Sequence, residues 1–159
     1  MIVEAVDRLP APARLQVIDR AAAQITAMRA LEPTWERPFA IASIGDERFD
    51  HLSETLADAP CPLLDSSGGC LVYAERPMVC RLIGLGLISE TGDLIENECP
   101  IRHEYPRYAE LAPRPFPLEA WCATEDRANR AAAERLFGDA AQWEYETTVA
   151  GAIVAMIGA

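Results

Sequence analysis

Four cysteines in the middle of the chain carry the clearest chemical signal. They are separated by 8, 9 and 18 residues and are Cys61, Cys70, Cys80 and Cys99. A Ser-Ser-Gly-Gly run lies between the first two, and a Glu-Arg-Pro run lies between the second and the third. Both runs are typical of chain reversals, which bring distant residues together. Four thiols gathered in this way are a candidate tetrathiolate metal site.

The last two cysteines are expected to approach each other through a β-hairpin. Residues 82–88 and 94–95 have strand-like composition, and residues 89–93 (Ser-Glu-Thr-Gly-Asp) resemble a turn. Pairing across a reversal near Glu90 would place Cys80 and Cys99 side by side. The predicted metal-binding segment therefore covers residues 58–101.

The spacing of the cysteines leaves the metal open. Zinc sites and iron–sulfur sites both usually contain a C-x2-C pair, and this chain has none. Proline follows Cys61 and Cys99, which favours an iron–sulfur cluster slightly, because such clusters often have proline after a ligand cysteine. The alternative is that cysteines pack as small buried hydrophobic residues. That alternative is preferred for Cys122, which follows Trp121 in a predicted helix. The other four cysteines are expected in turns and at strand ends, where binding of a metal is favoured.

Two arginines and one histidine lie close in sequence to the predicted ligands, and a second histidine lies further away. Arg81 directly follows Cys80, and Arg76 lies a few residues before it. A guanidinium group could offset thiolate charge and donate hydrogen bonds to sulfur, although Arg76 could equally be a surface residue paired with an acid. His103 could be a substitute ligand, but an exposed position is the commoner case, and His51 is predicted to lie on the surface.

Composition restricts the class of protein. The chain has 159 residues, of which 50% are hydrophobic and 25% charged, as in an ordinary globular domain. A net charge of −11 argues against binding to nucleic acid or to an anionic membrane, and the lack of any lysine excludes Schiff-base lysine chemistry and a P-loop lysine. The acidic N-terminal segment does not resemble a secretory signal, so a cytoplasmic location is expected. The chain has five cysteines, and an odd number in a reducing compartment favours metal binding over disulfides.

The remaining sequence predicts a mainly α-helical domain over residues 1–159, with a small irregular cysteine-rich segment that contains a short β-hairpin. Apolar periodicity and proline or glycine boundaries predict helices over 11–31, 46–57, 118–137 and 140–157. The apolar stripes expected on the first three helices are Leu15, Ile18, Ala22, Ile25 and Met28; Phe49, Leu52 and Leu56; and Trp121, Ala128, Ala132 and Leu136. Asp46 and Asp139 are the expected N-cap residues, and Gly138 is the expected C′ residue. A proline-rich linker is predicted over 105–117. No catalytic pair or triad can be nominated, so enzymatic activity stays open.

The segment CPLLDSSGGCLVYAERPMVCR, which runs from Cys61 to Arg81, resembles the YkgJ-like cysteine-cluster family. That family is described as a zinc- or iron-chelating domain, with a core that reads Y-x-x-R-P-x-x-C-R. The resemblance covers about forty residues. The matching positions are Cys61, Pro62, Leu64, Gly68, Cys70, Tyr73, Arg76, Pro77, Cys80, Arg81 and Cys99.

The resemblance implies that these cysteines bind zinc or iron, and it implies little about a reaction. Many members of the family carry a further N-terminal cysteine group, whereas this chain has no cysteine before Cys61. One four-cysteine site is therefore the most it can build without His103 or a carboxylate. Three functions are open: a zinc- or iron-chelating protein, an iron–sulfur protein acting as an electron carrier or oxidoreductase component, and an acidic module that binds an unknown protein partner and contains a structural zinc.

Overall fold

The computed structural model describes residues 2–95, 107, 110–140 and 145–157. Its backbone is mainly α-helical with a minor β component, as the sequence predicts. The chain divides into two compact units: the first contains Met1–Pro77 and Tyr145–Ala159, and the second contains Met78–Glu144. The helices are α1 (Ile2–Asp7), α2 (Ala11–Leu31), α3 (Asp46–Thr55), α4 (Met78–Leu82), α5 (Leu118–Phe137) and α6 (Val149–Ile157). Short 3₁₀ turns cover Ile41–Ser43 and Tyr73–Glu75, and two strands are β1 (Leu87–Ile88) and β2 (Arg114–Pro115).

Helix α2 has the predicted bounds and part of the predicted buried face. Its buried residues are Val17, Ala21, Ile25 and Met28. Ile25 and Met28 belong to the predicted stripe, whereas Ala22 of that stripe is exposed and Leu15 is 60% exposed. Alanine occupies much of this helix, so apolar residues occur on several faces and the periodicity does not select one of them. Packing partners elsewhere in the chain make the selection.

The core of the first unit forms where α6 and α1 pack against α2. Trp35, Leu52 and Ile153 are each at most 2% exposed. The Trp35 ring lies edge-on to Phe39, with 5.7 Å between ring centroids, and its indole Nε1 donates a hydrogen bond to the backbone oxygen of Ala40 at 2.9 Å. Phe49 and Leu56 of the predicted α3 stripe pack against the same core. Among the residues that the structure describes, no helix is long and apolar enough to cross a membrane.

The C-terminal helix begins later than predicted. It starts at Val149, whereas the sequence predicted a start at Ala140 with Asp139 as the N-cap. The hydroxyl of Thr148 accepts a hydrogen bond from the backbone nitrogen of Gly151 at 2.9 Å, which is the usual N-cap interaction. The cap of α3 also differs, because Gly45 occupies the N-cap position and Asp46 is the first helical residue.

The second unit contains a two-stranded parallel sheet and a short form of the predicted hairpin. Ile88 and Leu94 form an isolated antiparallel bridge, and the backbone nitrogen of Ser89 donates to the oxygen of Asp93 at 2.9 Å. The reversal is therefore confirmed, but the paired stretch is much shorter than residues 82–95. Strand β2 lies within the predicted linker. It tolerates Pro115 because the hydrogen bonds to β1 come from the backbone nitrogens on either side of it.

Helix α5 has the predicted bounds, and Gly138 adopts a left-handed conformation at its C-terminal end, with φ of 68°. A carboxylate oxygen of Glu90 accepts a hydrogen bond from the backbone nitrogen of Leu118 at 3.1 Å, so the hairpin turn satisfies a donor at the start of this helix. The predicted apolar stripe is not reproduced at Ala128, which is exposed, whereas Ala133 is buried.

Candidate functional site

The loop between Cys61 and Cys70 begins with a tight turn. The backbone nitrogen of Leu64 donates a hydrogen bond to the carbonyl oxygen of Cys61 at 3.1 Å. Pro62 occupies the second position of this turn, where its fixed φ angle is favourable. Both Pro62 and Leu63 are buried. The proline after Cys61 therefore has a local structural role that is independent of any metal.

Asp65 organises the rest of this loop. Its Oδ1 accepts hydrogen bonds from the backbone nitrogen of Ser67 at 2.8 Å, from the Ser67 hydroxyl at 2.7 Å and from the backbone nitrogen of Gly69 at 2.9 Å. The Ser67 hydroxyl, followed by the backbone donors of Gly69 and Ser67, holds the pKa of Asp65 below its ordinary value. Gly68 has a φ of 82°, a conformation that favours glycine. The Ser-Ser-Gly-Gly run thus forms the predicted reversal.

The loop is anchored in the core of the first unit at both ends. Cys70 pairs with Leu64 in an isolated antiparallel bridge, and the backbone nitrogen of Leu71 donates to the oxygen of Leu63 at 2.9 Å. Leu63 and Val72 are 2% and 4% exposed and belong to the core. Cys70 is half-buried and packs against that core, whereas Cys61 is exposed. One thiol therefore packs against the core and the other lies at the surface.

Two side chains of α2 hold the first end of the loop. The amide nitrogen of Gln24 donates to the carbonyl oxygen of Pro60 at 2.7 Å. The guanidinium of Arg20 donates to the carbonyl oxygen of Leu64. Sequence reasoning missed both residues, since polar residues on a helix are usually solvated and their partners lie 36 and 44 positions later. Only the (i, i+4) spacing of residues 20 and 24 indicates a shared face.

Cys80 lies in the second unit, within the short helix α4, and it is half-buried. This corrects the prediction that it lies in a turn or at a strand end. Pro77 directly precedes α4, and proline is well tolerated at the start of a helix. Cys99 and His103 lie outside the described residues, so their predicted roles stay predictions.

The predicted arginines have different surroundings. The guanidinium carbon of Arg76 lies 5.2 Å from the centroid of the Tyr73 ring, a cation–π arrangement. Arg81 is exposed on α4 beside Cys80. The neighbouring Glu75 forms an exposed ion pair with Arg8 at 3.3 Å, which joins the residue after α1 to the chain that follows Cys70.

The structure also tests the predictions for Cys122 and His51. Cys122 is exposed on α5, so the prediction that it packs in the core is wrong. Its neighbour Trp121 is half-buried and stacks on Phe116, with 6.1 Å between ring centroids and 18° between ring planes. On this helix, Trp121 is therefore the packed side chain and Cys122 is the exposed one. His51 is exposed, as predicted.

Two pockets lie among the described residues of the first unit. One, of about 210 Å³, is lined by Gln24, Met28, Ser53, Leu56, Ala59 and Thr148. The other, of about 470 Å³, is lined by Ala22, Ile25, Thr26, Arg29, Glu36, Arg37, Phe39 and Val154. Neither pocket is lined by a cysteine. The first is the more closely connected to the cysteine loop, because Gln24 lines it and also binds Pro60.

Within the described part of the chain, no three His, Cys, Asp or Glu side chains are grouped so that they could hold a metal ion. The described residues include Cys61, Cys70 and Cys80 but not Cys99. This finding therefore does not cover all four predicted ligands. Comparison with protein-family models, with curated proteins and with solved structures gives no match. A functional assignment therefore depends on the chemistry of these residues.

Proposed function

We propose that this protein binds zinc or iron through the thiolates of Cys61, Cys70, Cys80 and Cys99. The observation that carries the proposal is the loop between the first two cysteines. It is closed by hydrogen bonds to Asp65 and anchored in the core through Leu63 and Val72. Such a loop provides rigid support for ligands, which lowers the conformational entropy cost of binding.

A closed tetrathiolate site suits a structural or chelating zinc better than hydrolytic catalysis, because four protein sulfurs leave no open coordination position. The absence of lysine makes arginine the cation available to offset thiolate charge, and Arg76 and Arg81 are the nearest candidates in sequence. Thiolates of this kind persist in a reducing compartment, so we place the protein in the cytoplasm as part of the same proposal.

An iron–sulfur cluster on the same cysteines is the alternative, and it would make the protein an electron carrier or an oxidoreductase component. The Cys-Pro pairs favour it. The buried turn position of Pro62 weakens that argument, since the proline has a packing role of its own.

A protein-interaction module with a structural zinc is the third candidate. Exposed apolar side chains on either side of Cys80 favour it: Val79 is 69% exposed and Ile83 is 47% exposed. They are spaced one helical turn apart, so they form a small apolar surface beside a predicted ligand. This candidate would be favoured if removal of the metal left partner binding intact, which a pull-down with and without chelator tests.

The deciding experiment is metal analysis combined with visible absorption spectroscopy on protein purified without oxygen. One zinc per chain and no visible absorption would support the structural or chelating site. Iron, acid-labile sulfide and a brown colour would identify a cluster. Protein that contains neither metal, and that takes up neither Zn²⁺ nor Fe²⁺ when they are added to the reduced chain, would overturn the proposal.

A further inference from the structure

Two side chains from one face of α2 hold the carbonyl groups on either side of Cys61. Gln24 donates to Pro60, the residue before this cysteine, at 2.7 Å. Arg20 donates to Leu64, the last residue of the turn that Cys61 begins. Residues 20 and 24 are one helical turn apart, so a single helix holds both the residue before this turn and the last residue of the turn.

We propose that Arg20 and Gln24 are positioning residues that hold Cys61 ready to bind the metal; this rests on the proposed function. Cys61 needs such support more than Cys70 does. Cys70 packs against the core and forms the bridge with Leu64, whereas the Cys61 side chain is exposed. Without the two tethers, metal binding would also have to order the turn, and the affinity would fall.

The expected size of the effect follows from ordinary hydrogen-bond strengths. Loss of one such bond corresponds to about a 3- to 10-fold change in an equilibrium constant. Arg20 also brings a positive charge close to a loop that would carry thiolates, in a chain with a net charge of −11. The experiment must therefore separate loss of a hydrogen bond from loss of charge.

The test is the affinity of the full chain for Zn²⁺, measured by competition with a chromophoric chelator under reducing conditions. Gln24→Met keeps side-chain length but removes the donor, and Gln16→Met is its control at an exposed position on the same helix. Arg20→Met removes donor and charge, Arg20→Lys keeps the charge and a donor, and Arg29→Met removes an exposed charge elsewhere on α2.

We expect Zn²⁺ binding to be about 3- to 10-fold weaker for Gln24→Met and weakened by at least as much for Arg20→Met. Both controls should bind Zn²⁺ nearly as tightly as wild type, and Arg20→Lys should restore part of the affinity.

The outcomes separate this proposal from the one it rests on. Wild-type protein that does not compete for Zn²⁺ would overturn both. Wild-type protein that binds Zn²⁺, with Gln24→Met and Arg20→Met binding as tightly as the controls, would overturn only the positioning role. A purely structural role would lower the free energy of unfolding of the metal-free protein and leave the affinity of the folded protein unchanged. If Arg20→Met fails to fold, Gln24→Met and Arg20→Lys decide the question.

Discussion

Asp65 and Gly69 exchange two hydrogen bonds across the loop that separates the first two cysteines. The backbone nitrogen of Asp65 donates to the oxygen of Gly69 at 2.8 Å, and the nitrogen of Gly69 donates to the Asp65 carboxylate at 2.9 Å. A Cβ atom at position 69 would lie 3.1 Å from the other carboxylate oxygen. One carboxylate and one glycine thus shape the loop, and this makes the loop sensitive to pH.

We predict that protonation of Asp65 destabilises the folded protein. Hydrogen bonds from Ser67 and Gly69 lower the pKa of Asp65 in the folded state, so the unfolded chain binds the proton more tightly. The stabilisation is present above the ordinary aspartate pKa of about 3.9 and is lost as the pH falls through the lower folded-state value. Urea unfolding of wild type and Asp65→Asn between neutral and acidic pH measures this. Asp65→Asn should show a weaker loss of stability on acidification, and the exposed Asp58→Asn should behave like wild type.

The cysteine variants should divide into two classes. Cys70→Ser and Cys80→Ser should lose bound metal and lower the melting temperature, because each removes a proposed ligand. Cys122→Ser should do neither, since Cys122 is exposed on α5 and lies outside the proposed ligand set. Metal analysis and thermal unfolding of the purified variants check this. Equal metal content in the three variants would contradict the ligand assignment.

Metal binding should stabilise the fold, because the loop that carries Cys61 and Cys70 is joined to the core through Leu63 and Val72. A ligand that binds only the folded state adds about 2.7 kcal/mol at a free concentration one hundred times Kd. Urea unfolding of the reduced protein with and without excess Zn²⁺ measures the difference. Cys70→Ser is the control in which the added stability should be absent. A wild-type unfolding midpoint that does not respond to the metal would argue against a coupled site.

Gly151→Ala should destabilise the first unit. A Cβ atom at this position would lie 2.2 Å from Oγ1 of Thr147, 3.2 Å from Oγ1 of Thr148 and 3.3 Å from Cβ of Phe39. Overpacking of a buried site typically costs about 1–3 kcal/mol. A double-mutant cycle with Thr147→Ala supplies the matched test: removal of the closest oxygen should recover part of the loss. Equal costs in the two backgrounds would show that this contact does not limit the site.

The secondary structure was predicted best where proline or glycine marks the end of a helix. Helices α2 and α5 have the expected bounds because proline begins or precedes them and, for α5, glycine follows. The buried faces were not predictable with the same success. Leu15 is exposed and Val17 is buried, and no property of an alanine-rich helix decides between them. The late start of α6 was also missed, because the cap at Thr148 is no stronger a signal than the aspartate at position 139.

The sequence by itself determined the mainly helical fold and the reversal at the Ser-Ser-Gly-Gly run, because both depend on interactions between residues a few positions apart. It also identified the cysteines whose metal chemistry is proposed. Only the tertiary structure decided that α6 packs on α2, that Cys122 is exposed and that Arg20 and Gln24 hold the turn at Cys61. These contacts join residues far apart in the chain. Their formation depends on which faces meet when the core is buried, and the pattern within one segment does not contain that information.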